Sequence, residues 1–301
     1  MQDAGLAPLA TIVPLGRSSN RNLLVTTRAG DRLVLRRYVD KPGHSGLVRL
    51  RRERWASDVV RRAGAPVPLV FAFSEEPGAV AALLAHAEGE HLGDTVSLLA
   101  PHEAERAWRS CGRAFAAAHR AERAVAGWGN VGISDPRASR GRYHFEQALE
   151  HLGRLDRARP DLRPLDALRR AVLEAEASYE RAPTALCQWD AHLWQFLVAP
   201  VDGKFVCTAL LDWEDADFDD PDFDLAQLDG FRFASVGAVP PPFFEGYGRT
   251  PTSRLYALYR LERAAWILAA HAEGADWLEL SVPPAEELVR TWDASAPTGR
   301  S

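Results

Sequence analysis

The sequence predicts an α+β protein of two unequal lobes: a small β-rich lobe over residues 1–88 and a larger, mainly helical lobe over 89–301. Three observations carry this. Up to about residue 85, apolar residues fall in short β-prone runs broken by turn residues. After Gly89 the apolar spacing changes to three and four, the period of a helix face. Inside the helical part, two short apolar runs at 195–199 and 205–212, joined by the turn VDGK, read as a hairpin with an aspartate beside each strand, Asp190 and Asp212.

The elements follow in order. LATIVPL and NLLVTTRAG flank the polar turn GRSSN at 16–20 and read as strands. RLVLRRY at 32–38 alternates and makes a third, with RAGDR as the hairpin turn. Residues 47–64 place Leu47, Leu50, Trp55, Val59 and Val60 near helical spacing, with Gly64 as the stop. APVPLVFAF and AVAALLAHAEG supply two more strands, so the small lobe is a sheet of about five strands carrying one helix. A hinge is expected near 85–93. Residues 101–123 then form a helix with Trp108, Cys111, Phe115 and His119 on one face. Further helices are expected at 143–159, 162–182, 253–273 and 283–293.

With 301 residues, 47% hydrophobic and 26% charged, the chain can bury substantial cores. A net charge of −5 and a pI near 6.0 point away from nucleic acid and anionic membrane surfaces. Only Lys41 and Lys204 are lysines, so a role that demands lysine has almost no candidates. Cys111, Cys187 and Cys207 are far apart, with no metal-type spacing, and read as buried thiols in a reducing compartment. No window approaches a membrane span, and the start lacks a basic segment followed by an apolar one. A cytoplasmic monomer or homodimer is the expectation.

The chemistry gathers in QWDAHLWQFLV (188–198) and ALLDWEDADFDDPDFDLAQL (209–228). A lone carboxylate among apolar neighbours is costly unless paired or used. Two acids at neighbouring strand ends, facing a cleft, suit phosphoryl transfer: one accepts or orients a hydroxyl proton, the other holds Mg²⁺ on nucleotide phosphates. Taken alone, Asp190 also suits a loop cap and Asp212 an Asx turn. Glu214, Asp215, Asp217 and Asp219 read as a solvated acidic loop or as an attraction for a cationic substrate. Trp189 and Trp213 read as packing residues.

These stretches resemble the aminoglycoside phosphotransferase and choline kinase-like enzymes, which share the protein-kinase fold, and the resemblance covers nearly the whole chain. QWDAHLWQFLV lies over the family's HGDLHPGN loop, and LLDWEDADFDDPDFDLA over its DWE, DP and DLA motif, the more specific of the two. The resemblance implies Asp190 as the catalytic aspartate, with His192 on the histidine after it, and Asp212 with Gln195 as metal ligands. His192 reads as a loop-bracing hydrogen bonder or a proton shuttle, and Gln195 alternatively as a loop-stabilising amide. Asp220 and Asp224 become acids that brace the helical lobe. PLGRSSNRNLLV resembles the phosphate-covering turn, with Ser18, Ser19 and Asn20 at its tip. Arg36 stands where a phosphate-binding lysine is usual, paired with Glu53 on the following helix; an ordinary surface ion pair is the alternative. CGRAFAAAHR resembles the family's glycine-containing helix. Implied cofactors are ATP or GTP with Mg²⁺, and the implied partner is a small hydroxylated molecule. The chain departs from the pattern at Gln188 for histidine, Gln195 for asparagine and Arg36 for lysine. Those departures keep a second reading open, a pseudokinase that binds nucleotide or ligand as a regulatory module.

Overall fold

Alternating β-prone runs separated by tight turns pair with their sequence neighbours, because a short turn returns each strand beside the last. In the computed structural model, which describes residues 7–16, 20–40, 45–121, 140–162, 165–232 and 237–292, this gives an antiparallel sheet of order β1-β2-β3-β5-β4. Its strands are β1 (Leu9–Leu15), β2 (Arg21–Thr27), β3 (Arg32–Arg37), β4 (Val70–Ser74) and β5 (Ala81–Ala85). β1 lies at the edge and is exposed along most of its length. Between β3 and β4 runs α1 (Gly46–Arg62), which buries Leu50, Ala56, Val59 and Val60. Arg36 and Asn22 are register partners on adjacent strands, so their side chains share a face.

β6 (Glu90–His91) leaves this sheet and pairs with β8 (Phe196–Val201), which pairs with β9 (Lys204–Leu210). β6 leads into a single turn, α2 (Leu92–Thr95). Helices α3 (Pro101–His119), α4 (Arg140–Ala158) and α5 (Leu165–Arg181) follow. α3 extends the core of α1 through Trp108, Cys111 and Phe115, against Phe196 and Leu210 of the hairpin. A second core joins α4 and α5 to α8 (Arg254–Ala272) and α9 (Val282–Thr291). No helix among the described residues is long and apolar enough to cross a membrane.

Several elements were not expected. β7 (Ala185–Cys187) pairs antiparallel with β10 (Asp217–Asp219), α6 spans Pro221–Gly230, and α7 spans Pro241–Tyr247. α6 starts cleanly, with Asp220 as N-cap accepting from the Asp222 amide and Pro221 in the first turn. Its residues other than Gly230 are all buried, so it shows no polar face and no helical periodicity. β7 and β10 are three residues each, too short to alternate visibly. The acidic run 214–219 is largely inside: Glu214, Asp217 and Asp219 are buried, which corrects the reading of a solvated loop. The pairing of β10 with β7 draws Asp217 and Asp219 in, and Asp219 meets the His144 ring at 2.7 Å.

α3 and α7 cross at contact distance, and glycine makes that possible. A Cβ on Gly112 would stand 2.0 Å from the Phe243 carbonyl oxygen, and one on Gly246 would stand 2.1 Å from that of Arg109. Backbone meets backbone on both sides, so neither helix can yield by rotating a side chain.

Candidate functional site

The site is built from two loops and one strand. The first loop follows β7 and holds Gln188, Trp189 and Asp190; the second follows β9 and holds Leu211 and Asp212. Both carry a non-glycine residue in the left-handed region, Trp189 at φ 68° and Asp212 at φ 62°. Such backbone costs of order 1 kcal/mol and persists only where surroundings impose it.

The surroundings are identifiable. Asp224, on the first turns of α6, accepts from the amides of Gln188 (2.6 Å) and Trp189 (3.0 Å), and His119 lies 3.2 Å from the same carboxylate. His119 is in turn 2.8 Å from the Tyr247 hydroxyl. The two loops are tied together as well. The Leu211 amide donates to the Gln195 carbonyl at 2.8 Å, and the Gln188 side-chain amide donates to the Leu211 carbonyl. Asp224 therefore holds the loop that carries Asp190, beyond bracing the helical lobe. Trp189 packs against Tyr143, His144 and Phe223, and Trp213 is buried, both as packing residues.

Asp190 keeps its carboxylate open, with 46% of its side chain exposed. The Gln195 Nε2 lies 3.3 Å from its Oδ2, and His192 Nε2 lies 3.1 Å from that same amide nitrogen. Gln195 is buried, and its amide oxygen takes no hydrogen bond among the described residues.

Facing this, Arg36 on β3 gathers three partners. Its Nη1 lies 2.7 and 2.8 Å from the two Glu53 oxygens and 3.0 Å from Asp212 Oδ1, and its Nε donates to Asn22 at 3.3 Å. Arg36 is 8% exposed and Glu53 3%, so the pair is interior and not an ordinary surface ion pair. Burial works against the Arg36 charge, yet Glu53 and then Asp212 outweigh it and hold the guanidinium well above its ordinary pKa. Burial pushes Glu53 up, with Asp212 adding repulsion against the pull of Arg36. The Tyr38 hydroxyl donates to Glu53, and burial followed by the Glu53 charge pushes that phenol well up.

Glu214 belongs to the same group. It pairs with Arg49 of α1 and accepts from Asn20 Nδ2 at 2.6 Å, while Arg52 donates to its carbonyl at 3.2 Å. Burial, then repulsion from Asp212 and Glu53, pushes its carboxyl up to about 7. Carboxylate oxygens of Glu53, Asp212 and Glu214 lie within 4.8 Å of one another. Such a set of hard oxygen donors suits a divalent cation such as Mg²⁺.

The predicted residues thus fall into two adjoining groups, Asp190 with His192 and Gln195, and Arg36 with Glu53 and Asp212. Asn20 joins the second through Glu214. Ser18 and Ser19 lie outside the described residues. Glu214, Arg49 and Tyr38 were not anticipated. The available signal was Trp213: a segment that buries its indole draws the flanking acids inward with it.

The profile of the phosphotransferase enzyme family matches residues 11–261. Among solved structures, a thermostable mutant of the aminoglycoside phosphotransferase APH(4)-Ia, in a ternary complex with ADP and hygromycin B, is 18% identical. It superposes with a TM-score of 0.68 over 96% of both chains. The GDP complex of wild-type aminoglycoside 2′-phosphotransferase-IIIa gives 17% identity and a TM-score of 0.64 over 93% of both. A protein described as a fructosamine-3-kinase from Thermobifida fusca gives 18% and 0.60, again over 93% of both. At these identities the likeness carries the kinase-like fold. No curated protein matches the sequence.

Proposed function

Because the chain belongs to the phosphotransferase enzyme family, we propose that it moves the γ-phosphate of ATP or GTP to a hydroxyl of a small molecule. Residues 1–88 cover the nucleotide, and 89–301 supply the catalytic loop and the acceptor surface. The observation that carries this reading is Arg36, a buried cation of the sheet lobe set on both Glu53 and Asp212, the acid of the second loop. A cation fixed against a cation-binding acid is the arrangement that nucleotide phosphates and their metal require.

Asp190 accepts and orients the acceptor hydroxyl. Its carboxylate is open to the cleft, yet its loop is pinned by Asp224 and its side chain by Gln195. Arg36, kept charged by Glu53, meets the phosphates; a guanidinium in lysine's place keeps the charge and offers a planar fork to phosphate oxygens. Asp212 and the amide oxygen of Gln195 hold Mg²⁺, with Glu214 beside them. When bound, the ion neutralises phosphate charge as transfer proceeds. Asn20, anchored on Glu214, stands at the start of β2 beside these acids.

The test is calorimetry of ATP and GTP binding with Mg²⁺ and with chelator, beside turnover against a panel of hydroxylated metabolites. Binding that requires Mg²⁺, lost in Asp212→Ala, is the expected result. Nucleotide binding indifferent to Mg²⁺, with no turnover on any acceptor, would give the chain to the regulatory-module reading.

A further inference from the structure

One aromatic ring away from His192 on the Asp190 loop, α8 carries a cation with no ion-pair partner among the described residues. Arg263, on α8, is half-buried, and among the described residues its guanidinium makes no hydrogen bond and no ion pair. It stacks over two aromatic faces instead, 5.4 Å from the centre of Phe231 and 5.0 Å from that of Trp266. Those rings continue toward the catalytic loop on one side and solvent on the other. Phe231 meets His192 at 6.0 Å, and Trp277, 67% exposed, stacks on Phe231 at 6.1 Å. Through Phe231, Arg263 lies one ring away from His192, whose Nε2 is 3.6 Å from the Asp190 carboxylate.

The acids of α6 and α8 nearby are paired or buried. On α6, Asp222 pairs with Arg249, Asp224 holds the loop, and Asp229 pairs with Arg260 and Arg232. On α8, Glu262 lies 3.6 Å from His151. A polycationic acceptor would find no open carboxylate on these two helices, whereas an anionic one would find an unpaired guanidinium flanked by aromatic faces. Burial without an ion-pair partner is unfavourable for a guanidinium unless something else satisfies it.

We propose that Arg263 is a specificity-determining residue that receives a carboxylate of the acceptor, and that Phe231, Trp266 and Trp277 receive an adjoining flat or apolar portion. The acceptor is then a hydroxy acid with an aromatic or apolar body, its hydroxyl at Asp190. A planar guanidinium held on ring faces keeps its edge free for the two oxygens of a carboxylate, and its fork matches them. This rests on the phosphotransferase reading, since that reading puts the acceptor beside Asp190.

The experiment measures binding of 4-(hydroxymethyl)benzoate, its methyl ester and 4-(hydroxymethyl)benzylamine, by calorimetry and by quenching of the tryptophans. It is run on wild type, Arg263→Gln and Arg263→Lys, with and without Mg²⁺ and a non-hydrolysable nucleotide. The acid should bind wild type about 10- to 100-fold more tightly than the ester, as expected for a charge-assisted contact. That ratio should fall to near 1 in Arg263→Gln and recover in part in Arg263→Lys. A variant weakened only in its fold would bind acid and ester equally worse and leave the ratio standing. The inference is overturned if wild type binds the acid no better than the ester, if it binds none of the three, if the amine binds best, or if the ratio survives in Arg263→Gln. Failure of Mg²⁺–nucleotide to bind would instead strike the phosphotransferase reading, and the ratio measured without nucleotide would still decide the role of Arg263.

Discussion

Asp190 and Arg36 show how differently two charged residues of one cleft can be placed. Asp190 is half open on a loop held through the amides of Gln188 and Trp189, with Gln195 and His192 against one of its oxygens. Replacing it with asparagine keeps the shape and removes the proposed base. We expect Asp190→Asn to lower kcat by roughly 10²–10⁴-fold, the span usual for a positioned acid or base. KM for nucleotide should change little; steady-state kinetics that show an unchanged kcat would take Asp190 out of the mechanism. Arg36 is buried among Glu53 and Asp212, with Glu214 near enough to feel its charge. Removing the cation strands those acids in a desolvated site, at a cost of about 3–5 kcal/mol. Arg36→Met should therefore melt well below wild type, and Arg36→Lys should recover much of the loss because the charge returns. Denaturant melts in which both variants match wild type would show that the acids do not depend on the cation.

Among the elements, the α3–α7 crossing is the least forgiving. Gly112 faces the Phe243 carbonyl and the Tyr247 amide, and α7 is also what brings the Tyr247 hydroxyl to His119. A methyl at Gly112 can enter only if α7 moves. Overpacking of this kind costs about 1–3 kcal/mol, and more where backbone must shift. Gly112→Ala should lower the melting temperature by several degrees and loosen the His119–Asp224 contact behind the loop that carries Asp190. Gly203→Ala is the control for volume alone, since nothing lies within 4 Å of a Cβ there; its own cost comes from a positive φ of 70°. Equal melting temperatures for wild type and Gly112→Ala would mean that the helices are not in backbone contact.

For the molecule as a whole, two buried groups beside the second core, Glu262 and His151, make stability depend on pH in opposite directions. Burial pushes Glu262 up to about 7. Between about pH 4.5 and 7 the folded chain holds a proton there that the unfolded chain has released. Stability from this group is therefore lost as pH rises through that window. His151 is pushed down to about 3 by burial, then by Arg263 and Arg154. The unfolded chain takes up that proton below about pH 6.5 while the folded chain refuses it, so stability falls toward acid. Glu262→Gln should be more stable than wild type at pH 8, by up to about 3 kcal/mol at full ionisation, with the difference closing by pH 5. Thermal melts showing the same offset at both values would mean that Glu262 titrates normally.

What the sequence determined by itself was whatever local chemistry decides. β1 to β3 and α1 stand where alternation, turn residues and Gly64 put them, because hairpins and amphipathic helices are specified by their own residues. Asp190 and Asp212 stood out as candidates because a carboxylate beside an apolar run is costly unless paired or used, and the Arg36–Glu53 pairing was legible because a strand cation and a helix acid 17 positions apart resemble a known pair. Tertiary structure decided the rest. α6 was hidden because burial all round erases the periodicity by which a helix is read. Glu214 and Asp219 looked like solvent-facing charges, since their partners Arg49 and His144 are 165 and 75 residues away. The same distance hid Asp224, whose hold on Gln188 and Trp189 spans about 35 residues and exists only once α6 is packed beneath the loop. A short-range pattern can name an acid, but whether that acid is solvated, paired or catalytic depends on the charges the fold brings to it.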